Sequence, residues 1–96
     1  MPKGYIIVSY REAPDEDKLM DYAPKAFEAM TNAGAKFIAR GMPVQTFESG
    51  IYQLTVVVEF DSTEAAKIAF SSEEYQAAFS LLGGVERDVR VIEGLS

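Results

Sequence analysis

The chain reads as strand, helix, strand, strand, helix, strand, which predicts an α+β sandwich with a four-stranded antiparallel sheet covered by helices on one face. Three observations carry this reading. Two amphipathic stretches with helical spacing each follow an apolar strand. The strongest strand, Tyr52 to Phe60, sets Leu54, Val56, Val58 and Phe60 on one side against Gln53, Thr55, Val57 and Glu59 on the other. Polar residues also thread into one side of nearly every strand, so one sheet face is mixed in character while the other is core.

The elements follow in order. Gly4 to Tyr10 is rich in β-branched and aromatic residues and ends at the turn-like Glu12-Ala13-Pro14, a first strand. Asp15-Glu16-Asp17 places negative charge where a helix dipole favours it, and Leu19, Ala23, Phe27 and Met30 follow at helical spacing. This predicts a helix from about Asp15 to Ala33, stopped by Gly34 and kinked near Tyr22-Ala23 by Pro24. The acidic triplet reads as a solvated helix start rather than a metal site. Lys36 to Arg40 forms a second strand, broken at Gly41-Met42-Pro43 and resuming over Val44 to Phe47 before a turn at Glu48-Ser49-Gly50. After Tyr52 to Phe60, the spacings Asp61 to Glu64 and Ser71 to Glu74 resemble capping boxes, predicting a second helix in two pieces joined at Ser71-Ser72. Gly83-Gly84 follows that helix and so reads as its stop, not as a phosphate-binding loop. Arg87 to Glu93 is the last strand, with Val89 and Val91 on one face and Asp88, Arg90 and Ile92 on the other.

Because crossovers are right-handed, both helical segments return to the same side of the sheet, which is the ferredoxin-like βαββαβ arrangement. The core face then carries Val8, Val56, Val58 and Val89. The open face is expected to carry Tyr5, Ile7, Ser9, Ile38, Arg40, Gln53, Thr55, Val57, Glu59, Arg90 and Ile92. In simple register Arg40 falls opposite Glu59, a stabilising cross-strand ion pair whether or not it has another purpose.

With 96 residues the chain is expected to form a single domain, residues 1–96. A chain of this size buries only about 60–65 % of its unfolded surface, so self-association helps it, and a homodimer is expected. The net charge of −6 repels phosphate backbones and anionic lipid, which argues against nucleic acid and membrane partners. No apolar run approaches the ~20 residues that span a bilayer, and Met1-Pro2-Lys3 leads straight into a strand, so the expected location is cytoplasmic. The chain has no cysteine and no histidine. Thiolate nucleophiles, serine–histidine triads and His- or Cys-ligated metals are thereby excluded, and no cofactor or metal is expected.

Several segments together carry a family resemblance: Gly4-Tyr5, Gly34-Ala35-Lys36-Phe37-Ile38-Ala39-Arg40-Gly41, Val56-Val57-Val58-Glu59-Phe60, Glu74-Tyr75-Gln76 and Val91-Ile92-Glu93-Gly94. In this order and spacing the chain resembles the domain-of-unknown-function family DUF1330, within the dimeric α/β-barrel superfamily. The resemblance implies a ferredoxin-like protomer that pairs into a homodimer with a shared barrel. It also implies relatives that include cofactor-independent monooxygenases, muconolactone isomerase-like enzymes, haem-handling proteins and ligand-sensing domains. The lack of His and Trp argues against the haem-binding branches.

The functional expectation is a small-molecule pocket on the open sheet face, taking a small anionic or aromatic ligand. In an isomerase or cofactor-free oxygenase, Arg40 would hold a carboxylate or enolate in a forked geometry and Glu59 would be the catalytic proton-transfer group. Tyr22 and Tyr75 would bound the pocket mouth. A binding or sensing module that does not turn its ligand over would need only Arg40, Tyr5 and Gln53. A purely structural homodimer with a filled barrel is the third alternative.

Overall fold

The computed structural model describes residues 2–95. The first strand, β1 (Gly4–Tyr10), alternates strictly between buried and half-buried positions, as a period of two demands when one face is core. Ile6, Val8 and Tyr10 point toward the helices, while Tyr5, Ile7 and Ser9 point to the open side. Helix α1 (Glu16–Asn32) begins where the Asp15 carboxylate accepts the Lys18 amide at 3.0 Å. Pro24 lies inside it without ending it. At its C-terminus Gly34, with φ of 96°, donates to the Thr31 carbonyl while Ala35 donates to that of Met30, closing the helix with a left-handed turn.

Strand β2 (Lys36–Gly41) is followed by β3 (Thr55–Phe60). Residues 42–54 between them form a loop rather than strand extensions, so the expected strand over Val44 to Phe47 is absent and β3 starts later than Tyr52. The expected turn at Glu48-Ser49-Gly50 does form, with Gly50 donating to the Phe47 carbonyl at 2.9 Å and Glu48 at φ of 51°.

The second helical segment is divided as expected, into α2 (Thr63–Ser71) and α3 (Glu73–Phe79). Each cap sits one residue later than the spacing suggested. Ser62, not Asp61, accepts from the Ala65 amide at 3.0 Å, and Ser72, not Ser71, accepts from Tyr75 at 3.1 Å. Ser72 also donates to the Ala69 carbonyl at 2.8 Å, so one hydroxyl ends α2 and starts α3. A 3₁₀ turn, Ser80–Leu82, runs into Gly83 and Gly84, both at positive φ, before β4 (Arg87–Glu93).

The sheet order is β2-β3-β1-β4 with every pairing antiparallel, the ferredoxin-like topology. Helix α2 lies against β1, β3 and β4, whereas the backbone of α1 packs on α3 and the 3₁₀ turn. That asymmetry matters for function, because α1 stands off the sheet and leaves space beneath it. Where α2 meets β1 the approach is so close that a Cβ on Gly4 would collide with the backbone of Ser62 and Thr63. Among the described residues, no helix is long and apolar enough to cross a membrane.

One register feature departs from expectation. Lys36 pairs with Glu59 and Phe37 with Val58, but Ala39 pairs with Val57 and Arg40 with Val56, leaving Ile38 as an extra residue. A bulge of this kind exchanges the sides of every later residue in its strand. Arg40 therefore shares a side with Val56, toward the helices, and does not face Glu59.

Candidate functional site

Beneath α1 lies a cavity of about 250 Å³, enclosed by α1 on one side and by β1, β3 and β2 on the other. Its walls are apolar, with Leu19, Ala23 and Ala26 above and Ile6, Val56 and Val58 below. Phe27 of α1 and Phe37 of β2 close one side with ring centroids 5.0 Å apart. Its polar lining comes from Tyr10, Tyr22, Tyr75, Arg40 and Arg87, and no Asp or Glu is among the lining residues.

Three of these side chains form one cluster. The Tyr22 and Tyr75 hydroxyls lie 2.7 Å apart, and the Arg87 guanidinium donates to both, from one terminal nitrogen to Tyr22 and from the other to Tyr75, each at 3.3 Å. Different elements bring them together: Tyr22 from α1, Tyr75 from α3 just after the Ser72 cap, and Arg87 from the start of β4. Arg87 also lies over the rings of Phe79 at 4.6 Å and Tyr10 at 5.4 Å. Among the described residues no carboxylate lies within 4.0 Å of this guanidinium. It is a half-buried cation balanced by phenols and aromatic faces instead of by an acid.

The electrostatics follow from that placement. Burial, reinforced by Tyr75, pushes the Tyr22 phenol well above its ordinary range, and burial raises Tyr10 as well despite the opposing pull of Arg87. Both stay protonated hydrogen-bond donors at neutral pH. Burial by itself would pull Arg87 down, but the oxygens of Tyr75 and Tyr22 more than reverse this, so the guanidinium stays charged. A protein of net charge −6 thus holds a positive, donor-rich point inside an apolar cavity.

The expected site residues do not meet in one place. Tyr5 and Glu59 share the open face, with the Tyr5 hydroxyl donating to the Glu59 carboxylate at 3.0 Å and Lys3 approaching that carboxylate at 3.9 Å. Arg40 lies at the rim of the cavity on the opposite side of the sheet, so Arg40 and Glu59 cannot act on one ligand. Gln53 lies in the loop ahead of β3 and lines neither the cavity nor the hollow on the open face. Tyr22 and Tyr75, expected to bound a pocket mouth, lie in contact with each other, but at 8 % and 2 % exposure they are buried within the protein rather than at a mouth. The open face does carry a hollow of about 520 Å³ beneath the 42–54 loop, lined by Ser9, Thr46, Thr55, Asp88 and Arg90 among others. There Arg90 is engaged by Asp88 through two bonds of 3.0 and 3.1 Å, which holds the Asp88 carboxyl below its usual range.

Arg87 is the residue that the sequence reading missed. Its signal was parity: in a strand that puts Val89 and Val91 toward the helices, Arg87 shares their side, a charge on an apolar face. Among the described residues no group of three or more Asp, Glu, His or Cys side chains converges as metal ligands would.

Residues 3–95 match the family described as Domain of unknown function (DUF1330). The chain belongs to DUF1330. Among solved structures this DUF1330 chain is similar to RPA0582, a protein of unknown function from Rhodopseudomonas palustris, with a TM-score of 0.74 at 11 % identity over 99 % of this chain and 84 % of that one. A dimeric ferredoxin-like protein of unknown function from Thermobifida fusca gives 0.54 at 14 % identity, covering 96 % and 91 % of the two chains. SnoaB, a cofactor-independent oxygenase from Streptomyces nogalater, gives 0.58 at 8 % identity, covering 99 % and 93 %. At such identities the likeness is one of fold alone. No curated protein matches the DUF1330 chain.

Proposed function

We propose that this DUF1330 chain is a homodimeric small-molecule-binding protein that takes one ligand per protomer in the cavity between α1 and the sheet. The observation that carries the reading is the cavity itself, apolar on its walls with a cluster of polar donors. An apolar cavity of about 150 Å³ admits benzene, so about 250 Å³ suits a single ring with a short arm. The dimer is supported by the half-apolar open face, where Ile7 and Val57 lie beside Tyr5, Glu59 and the 49 % exposed Ile92. It is supported too by the Thermobifida fusca structure, which is described as dimeric and shares this fold. On this reading Tyr5 and Glu59 belong to the contact between protomers, not to the ligand.

A catalytic reading is favoured by one further observation. Phenol hydroxyls beside a guanidinium, in a cavity with apolar walls, form the arrangement that stabilises negative charge developing on an oxygen. SnoaB, a cofactor-independent oxygenase, has the same fold, and an oxygenase or isomerase acting on an enolisable compound would place that oxygen at Tyr22, Tyr75 and Arg87.

The test pairs a melting series with a filled cavity. Single-ring aromatic compounds are expected to raise the melting temperature of the natural protein, and Ala26→Leu, which projects a larger side chain into the cavity, is expected to abolish the rise. Equal shifts in both proteins would sink the cavity as the site. On the open face, Val57→Arg is expected to convert a dimer into a folded monomer in sedimentation, and an unaltered dimer would show that another surface makes the contact.

A further inference from the structure

The hydrogen count of the buried cluster points to what its ligand must carry. Two phenols 2.7 Å apart share one hydrogen bond, so one donates to the other. The second phenol keeps a hydrogen that cannot go to Arg87, because a guanidinium accepts nothing. Among the described residues neither phenol oxygen has a further protein partner, so no protein group accepts that hydrogen. Arg87 adds to the surplus, since a guanidinium carries five N–H donors and accepts nothing, and two of its donors go to these phenols. The cluster is short of an acceptor and of one negative charge, and both shortages face an apolar cavity lined by no carboxylate.

We propose that Arg87, Tyr22 and Tyr75 form the anchor for a monocarboxylate with an aromatic or branched apolar body. This rests on the cavity being the ligand site. One carboxylate supplies what is missing: a single negative charge to balance Arg87, and two coplanar oxygens to accept from the guanidinium N–H groups that the phenols do not use and from the remaining phenol hydrogen. A doubly charged phosphate would bring more charge than one half-buried guanidinium balances, and the other cation lining the cavity, Arg40, lies at its rim. A neutral amide of the same shape would meet the donors with only one oxygen and present two hydrogens to a site already rich in them.

Titration calorimetry on the full chain with phenylacetate, phenylacetamide and 2-phenylethanol tests this. Phenylacetate is expected to bind at least about tenfold tighter than the amide, the scale of one charge-assisted hydrogen bond. The gap is expected to collapse in Arg87→Met and to narrow in Tyr22→Phe, which removes one phenol but keeps its ring. If all three compounds bind alike, the cavity stands as a ligand site and the carboxylate anchor falls. If phenylacetate keeps its advantage in Arg87→Met, the anchor is elsewhere and the assignment falls. If none of the three binds at millimolar concentration, the anchor and the cavity reading fall together.

Discussion

Replacing Arg87 with methionine tests whether the guanidinium serves the fold or the ligand. In the free protein the side chain is half-buried and donates two bonds of 3.3 Å to phenol oxygens, at the long end of useful geometry, so each contributes toward the lower limit of about 1.5 kcal/mol. The Phe79 face, 4.6 Å from the guanidinium carbon, adds about 0.5–1 kcal/mol. Against this total of roughly 4 kcal/mol stands a desolvation cost of several kcal/mol for a cation that has left water without an acid to meet it. Methionine restores apolar packing of similar length and leaves the Tyr22–Tyr75 bond intact. The two sides nearly cancel, so Arg87→Met is expected to change stability by no more than about 1 kcal/mol, a shift within about 8 °C for a chain of this size. Equilibrium urea unfolding followed by circular dichroism reads this, at one fixed protein concentration so that any self-association affects both proteins alike. A loss of about 3 kcal/mol or more, the scale of breaking a buried ion pair, would refute the reasoning and make Arg87 a structural residue.

Stability at high pH reports on the buried phenols. Because Tyr22 and Tyr10 have raised values in the fold, they keep their protons after the unfolded chain has lost its own. Their contribution is therefore complete below the unfolded value of about pH 10 and is lost as pH rises beyond it, at up to about 1.4 kcal/mol per pH unit for Tyr22. Tyr22→Phe is expected to flatten the decline between about pH 10 and 11 by one such increment in urea unfolding, and an unchanged slope would show that Tyr22 ionises freely in the fold. Gly4→Ala forces a Cβ into the backbone of Ser62 and Thr63, and overpacking of this kind costs about 1–3 kcal/mol. A fall in melting temperature of at least about 5 °C is expected, and no fall would mean that the start of α2 yields easily.

Local signals in the chain were enough to place most elements. Alternation in Gly4 to Tyr10 and in the residues up to Phe60 reports a sheet with one buried face because side-chain direction has a period of two. The split between α2 and α3 was visible in the serines at 71 and 72, although a capping hydroxyl and its neighbour look alike in sequence, and only backbone geometry chooses Ser72. The hairpin between β2 and β3 was misread because Val44 and Phe47 are good strand residues that here occupy a long loop, 106 % and 73 % exposed. Strand propensity measures fit to a pleated, half-buried surface, and outside such a surface it has nothing to act on.

What the sequence by itself determined is the order of elements, the side of the sheet that each residue of β1, β3 and β4 faces, and a side-chain chemistry without thiolate or imidazole, since Cys and His are absent. These are local or compositional properties, and short-range periodicity encodes them. Two decisions belong to the tertiary structure alone. A single extra residue at Ile38 moved Arg40 across the sheet from Glu59, because register depends on the partner strand as well as on the strand itself. The gathering of Tyr22, Tyr75 and Arg87 arises because the backbone of α1 lies closer to α3 than to the sheet, which opens the cavity and aims residues up to 65 positions apart in the chain at one point.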